Sequence, residues 1–298
     1  MVGRLNEVNE LKRAFASEYS EFVAVYGRRR VGKTFLVRET FDYKFTFQHS
    51  GVKKGGKGVQ LARFRKSLAS QGYADCPVLT DWFSAFDSLR KLIDKSSDRR
   101  KVVFLDEMPW MGRKDQSFVT AVEDFWNGWA SARKDILLIV CGSATSWILN
   151  KIVHSRDGLH NRVTYRIPLR PFSLRECELY AESRGLELTR AQIAECYMVL
   201  GGIPHYWSFL RRGLSVAQNI DEIFFAGNDK LENEFEELYS SLFSSPQPYM
   251  AIIKALGGKK AGLTREEISR AAKCALNGTL TRRLTELAQC GFIRAFTE

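Results

Sequence analysis

Residues 23–40 read VAVYGRRRVGKTFLVRET, and no other stretch limits the possible folds so tightly. Four apolar or aromatic residues run into a loop, Gly27-Arg28-Arg29-Arg30-Val31-Gly32-Lys33-Thr34, that satisfies GxxxxGK[ST] at every position. Phe35, Leu36 and Val37 then open a helical pattern. Strand, glycine loop and helix N-terminus form the context in which backbone N–H groups turn inward and cradle phosphates, helped by the positive end of the helix dipole. Lys33 is expected to reach the β- and γ-phosphates, and the Thr34 hydroxyl to ligate Mg²⁺. Lysine and backbone already supply the binding. Arg28, Arg29 and Arg30 therefore read either as added positive field over the nucleotide or as contacts to solvent or a neighbouring domain.

Such a loop needs a carboxylate to complete its metal site. The segment KVVFLDEMPW supplies a second buried strand, Lys101 to Leu105, ending in Asp106 and Glu107. Asp106 is expected to hold Mg²⁺, and Glu107 to orient and polarise an attacking water. A third strand, Ile136 to Cys141, ends in Gly142-Ser143-Ala144-Thr145. Ser143, or else Thr145, is a candidate to sense the γ-phosphate or position the water. A helix N-cap explains the same residues equally well.

Strand and helix patterns alternate over the first 185 residues, with strands expected near 22–26, 43–48, 101–105, 136–141 and 163–168. Such alternation predicts a three-layer α/β core with a parallel sheet. Two intervening strand-length segments favour a strand inserted between the loop strand and the acidic strand, as in ATPases that use a catalytic glutamate. Residues 186–245 read as a helical lid. Residues 246–298 read as a winged helix-turn-helix, with Leu280 to Gln289 as recognition helix and GFIRAF as a wing strand. That last segment carries nine Lys or Arg against four Glu. Arg282 and Arg283, between Leu280 and Leu284, are the candidate DNA contacts.

Composition limits the partners. The net charge of +11 over 298 residues favours anionic ligands. No run approaches the roughly 18 apolar residues of a membrane span. The N-terminus lacks a signal-peptide pattern, and six cysteines without CxxC spacing read as reduced core thiols. A cytoplasmic protein with no membrane partner is expected. No NKxD motif follows the acidic strand, which argues against GTP. A small-molecule kinase would leave lid and winged helix unexplained.

Together, VGRLNEVNELKR, VYGRRRVGKTFLVRE, VVFLDEMPWM, CGSATSWILNKIVHSRDGLHNRVTYRIPLRPFSLRE and LGGIPHYW resemble the archaeal-type P-loop ATPases, AAA-like proteins related to the origin-recognition and STAND branches. The resemblance implies a five-stranded core, a helical lid and a winged helix. It implies that Gly3-Arg4 packs beside adenine and ribose and that Pro204 covers the base. It also implies that Arg162, with Arg156 as rival, acts as an arginine finger or ribose-side arginine. Relatives often continue into a nuclease-like domain, but no PD-(D/E)xK pattern is visible here. Two functions remain open at this point. One is an ATP- and Mg²⁺-dependent switch of low turnover. The other is a DNA-binding regulator with structural nucleotide. Double-stranded DNA and self-association are the candidate partners beyond ATP and ADP.

Overall fold

The computed structural model describes residues 1–296 except 54, 114, 154–157, 226–230, 232–233, 244 and 259–260. Its first part runs α1 (Leu5–Ala16), β1 (Glu21–Tyr26), α2 (Lys33–Thr40), β2 (Phe47–Ser50), α3 (Lys57–Ser70), α4 (Trp82–Lys95) and β3 (Lys101–Asp106). It continues through α5 (Met108–Gly112), α6 (Gln116–Gly128), β4 (Ile136–Gly142), α7 (Thr145–Ile148), β5 (Tyr165–Pro168) and α8 (Leu174–Ser183). The five strands form one parallel sheet in the order β2-β3-β4-β1-β5. β4 thus lies between the loop strand β1 and the acidic strand β3, which is the expected insertion. Its seven residues, ILLIVCG, are all buried, as helices on both sheet faces require.

One face packs aromatic residues of α3, α4 and α6, including Phe64, Trp82, Phe86, Phe118 and Phe125, in edge and tilted contacts. The other face buries Leu11 and Ala14 of α1 and Leu36 and Val37 of α2. Local chemistry fixes the helix starts. The Asp81 carboxylate accepts from the Ser84 N–H ahead of α4, while the Ser84 hydroxyl covers the cap backbone. Burying these two faces opens every strand's C-terminal end toward one rim, where β1 hands over to the glycine loop.

The helices after the sheet are α9 (Arg190–Leu200), α10 (Pro204–Trp207), α11 (Val216–Phe224), α12 (Glu234–Leu242), α13 (Gln247–Gly257), α14 (Arg265–Ala271) and α15 (Gly278–Gln289). Packing divides these elements differently from the expected boundaries of 1–185, 186–245 and 246–298. Cys177 and Ala181 of α8 share a core with the lid residues Ile193, Cys196 and Trp207. Leu238, Tyr239 and Leu242 of α12 share a core with Ile252, Ile268, Leu280 and Leu287 of the last three helices. Apolar faces, not chain segments, set the units.

Three local expectations change. β2 starts at Phe47 rather than 43, because Asp42 and Tyr43 take left-handed φ of 50° and 59° in the preceding turn. α5 forms where no helix was expected, with a proline in its first turn, a position that needs no N–H. Residues 291–296 form no strand. A strand needs a neighbour for its N–H and C=O groups, and the described residues offer this segment none. The C-terminal module is three helices without a described wing.

Candidate functional site

The site grows from the junction of β1 and α2. Gly27 has φ 149°, and a Cβ there would lie 2.1 Å from the Leu169 carbonyl oxygen, so only glycine fits. Gly32, at φ 92°, caps α2 without a side chain, leaving first-turn N–H groups directed at the loop. Lys33 is 6% exposed, and its ammonium donates to the carbonyls of Gly27 (3.0 Å) and Arg28 (2.8 Å). Val31 is buried beneath the loop.

β3 brings the carboxylates. Thr34 Oγ1 donates to Asp106 Oδ2 at 2.9 Å, and the Glu107 N–H donates to Asp106 Oδ1 at 2.9 Å. A hydroxyl and a carboxylate, hard oxygens one hydrogen bond apart, suit Mg²⁺, which binds through one or two carboxylates together with substrate phosphates. Among the described residues no group of three His, Cys, Asp or Glu could hold a metal alone. Glu107 takes a left-handed φ of 46°, a conformation costly for a side chain with a Cβ and concentrated at functional sites. Ser143, at the end of β4, donates to the Glu107 carboxylate from Oγ (3.0 Å) and N (3.3 Å). Burial pushes the Glu107 carboxyl above its ordinary value; nearby Lys33 pulls it down, Asp106 pushes it up, and the Ser143 hydrogen bonds pull it down. A carboxyl perturbed in this way is suited to proton transfer.

Of these groups Gly32, Lys33, Thr34 and Glu107 line a cavity of about 620 Å³, whose apolar part is made by Val2, Phe35, Phe172, Tyr180 and Pro204. Phe35 is 52% exposed. Pro204 opens α10 and lines the same cavity, and the Phe172 N–H donates to the Gly202 carbonyl at 2.6 Å, which ties the turn before α10 to this wall. Flat apolar walls opposite a phosphate cradle fit a purine nucleotide. Arg4 lines the cavity but turns its guanidinium to the Arg170 carbonyl (2.7 Å) and over the Phe172 ring (4.6 Å). It braces the wall.

The loop arginines Arg28 and Arg30 contact the C-terminal part of the chain, and Arg30 also lines the cavity. Arg28 stacks over the Phe292 ring at 4.5 Å, beyond α15. Arg30, with φ 68°, forms an ion pair with Glu234 of α12 at 2.5 Å, and Glu234 also accepts from the Tyr206 hydroxyl at 2.9 Å. Arg29 is half-buried in the same loop. At its far end α12 is held by Arg113, which follows α5 and donates to the Leu242 carbonyl at 2.7 Å. α12 therefore runs from the phosphate loop to the helix that follows Glu107. His205 lines the cavity beside this network; burial, then Arg30, hold its pKa down.

Other sequence candidates lie elsewhere. Arg162 is exposed and is not among the cavity's residues. Arg156 lies outside the described residues. Leu280 and Leu287 of α15 are buried and Leu284 is partly buried, as the spacing required. Arg282 is exposed, whereas Arg283 leans toward the Tyr249 ring at 5.9 Å. Sequence reasoning missed Phe172, Tyr180, Arg113 and Glu234. Only the run of three arginines in the loop, with no acid beside it in sequence, hinted that an acid must come from afar.

The family described as an ATPase domain predominantly from Archaea matches residues 1–210. Among solved structures, a Walker-type ATPase of Pyrococcus abyssi is similar with a TM-score of 0.69 and 17% identity, over 97% of this chain and 90% of that one. The ORC2 protein of Aeropyrum pernix, in ADPNP–ADP complexes, is similar with a TM-score of 0.59 and 17% identity, over 97% and 86%. At these identities the likeness speaks for the fold. An uncharacterized protein of Methanocaldococcus jannaschii is 22% identical over 255 residues, 86% of this chain and 54% of its own length. The chain thus spans about half of that curated relative. Among the described residues no helix is long and apolar enough to cross a membrane.

Proposed function

The chain belongs to the family of ATPase domains found predominantly in Archaea, and from that premise we propose that it is a slow, Mg²⁺-dependent ATPase that works as a nucleotide-driven switch. The observation that carries the switch is the pair of arginines that join the phosphate loop to the C-terminal helices: Arg28 against Phe292, and Arg30 with Glu234. Any shift of the loop on binding or losing a γ-phosphate must move or break these contacts, and through them α12 and the module it packs with.

In this reading the loop N–H groups and Lys33 hold the β- and γ-phosphates, and the apolar wall with Pro204 holds the base. Mg²⁺, held by Thr34 and Asp106 with the substrate, would supply charge neutralisation at the phosphates. Glu107 accepts a proton from the attacking water as its oxygen bonds to the γ-phosphorus and the bond to the β-phosphate oxygen breaks, leaving ADP and phosphate. Ser143 keeps the Glu107 carboxylate aimed, which makes it a positioning residue. Lys33→Ala removes a charge-assisted hydrogen bond to phosphate, so ATP affinity should fall by roughly 1.5–3 kcal/mol, about 10- to 150-fold. Titration calorimetry measures it, and unchanged affinity would end the phosphate-loop reading.

The second reading, a DNA-binding regulator with negligible turnover, draws on exposed Arg282 on α15 and on the basic charge of the last segment. Both readings share the nucleotide site. They part on whether Glu107 works.

A further inference from the structure

A second cavity, of about 370 Å³, opens at the free edge of the sheet. Two helices bring three cations to it: Arg38 from α2, and Arg63 and Lys66 from α3. Arg63, Lys66, Ser67 and Ser70 are spaced i, i+3, i+4 and i+7, so they share one helix face. Between the helices the edge strand β2 contributes Gln48, His49 and Ser50. Among the described residues the only acid lining the cavity is Asp106, whose oxygens already accept from Thr34 and from the Glu107 N–H. Among the described residues none of the three cations has an acidic partner. The flanking sequence agrees: residues 51–74 hold six Lys or Arg and no Asp or Glu.

What the cavity can take follows from its walls. A peptide strand is excluded, because the Gln71 side chain covers the edge of β2: it accepts from the Gln48 N–H at 2.8 Å and donates to the Gln48 carbonyl at 2.9 Å. Three lining residues carry buried polar atoms with no hydrogen-bond partner: Arg38 Nε, Gln48 Oε1 and His49 Nε2. His49 is 5% exposed, with its Nδ1 against Ser67 Oγ at 2.9 Å. Burial holds its pKa down to about 4, so the ring is neutral and the cavity's charge comes from the two arginines and the lysine. The Gln48 oxygen can only accept, so the match to a compact, multiply charged oxyanion comes from the guanidinium and ammonium donors, with the unpartnered Arg38 Nε among them.

We propose that this cavity is a second anion site that takes a phosphate group, distinct from the nucleotide cavity, with Arg38, Arg63 and Lys66 as its charged ligands. The phosphate belongs either to a small phosphate ester or to a nucleic-acid backbone. The site stands independently of whether the glycine loop hydrolyses ATP.

The test uses the full chain saturated with a non-hydrolysable ATP analogue and Mg²⁺, so that the β- and γ-phosphate positions of the glycine loop are filled and do not compete. Inorganic phosphate is titrated while the imidazole ¹H–¹⁵N signals of the four histidines are followed, with His49 assigned through His49→Gln. The expected result is a saturable shift of the His49 signals, absent when chloride replaces phosphate at equal ionic strength. It weakens at least tenfold in Arg63→Ala with Lys66→Ala. Both are exposed side chains whose loss leaves the helix intact, as a thermal melt verifies. Ribose 5-phosphate and a short oligothymidylate then separate the sources. Tighter binding of the sugar phosphate assigns a small ester. Tighter, steeply salt-dependent binding of the oligonucleotide assigns a backbone. No saturable His49 shift with phosphate, or an equal shift in the double variant, overturns the proposal.

Discussion

Glu234→Gln is the substitution that isolates the tie between the phosphate loop and the C-terminal helices. The amide keeps the shape of the side chain and can still accept from the Tyr206 hydroxyl, so only the charge facing Arg30 is removed. The two side chains are 19% and 9% exposed. Unit charges about 4 Å apart attract by roughly 4 kcal/mol at an effective dielectric near 20. Desolvation of a pair this covered cancels much of that attraction. A net tie of about 1–2 kcal/mol remains, which is a factor of roughly 5–30 in the equilibrium between held and released α12. If α12 must lift for nucleotide to leave, the dissociation rate of a fluorescent ADP analogue should rise by that factor. Stopped-flow chase with excess ADP reads it directly. A rate within twofold of the parent protein, with an unchanged thermal melt, would show that α12 does not restrain the nucleotide and that the reasoning is wrong.

Three further outcomes follow. Glu107 must be ionised to take a proton, and burial holds its carboxyl above the ordinary value; turnover should therefore rise with pH through an inflection above the usual carboxylate range near 4.3. Ser143→Ala removes a hydrogen bond to the charged form, so the inflection should move to still higher pH, read from kcat against pH. Arg282→Ala with Arg283→Ala should weaken duplex DNA binding and lower its log–log salt slope by about 0.9 for each phosphate no longer neutralised, with ATP affinity intact. Fluorescence anisotropy over a salt series decides this, and a double variant that binds like the parent removes α15 from any DNA interface.

The legible parts of this protein were those in which chemistry is written in adjacent residues. Gly27 to Thr34 announces its own backbone, and Asp106-Glu107 after a buried strand announces the carboxylates that meet Thr34 and Ser143. The fully apolar β4 announces a strand covered on both faces. Capping pairs such as Thr264 with Glu267 mark helix starts within one turn. What stayed hidden depends on contacts between distant segments. Arg30 and Glu234, or Arg28 and Phe292, leave no period or spacing in the chain. The same holds for α12, whose apolar face could serve the lid or the last helices until packing chose. GFIRAF has strand-like residues, yet a strand is a property of two neighbours, and no described partner lies beside it. β2 shifted because two non-glycine residues adopt left-handed turn angles, which composition does not foretell. Arg4 lines the cavity and stacks on Phe172, while Arg162 is not among the cavity's residues in a single chain.

The central claim is that Glu107 drives hydrolysis at a site that binds ATP without it. Steady-state release of phosphate from ATP and Mg²⁺ by the full chain, compared with Glu107→Gln and paired with ATP affinity for both, tests that claim most directly. The account predicts measurable turnover in the parent protein, a fall of about 10²-fold or more in the variant, and ATP affinity within a few-fold. Equal turnover in the two proteins, or none in the parent at saturating ATP and Mg²⁺, would contradict it and leave the nucleotide a structural ligand.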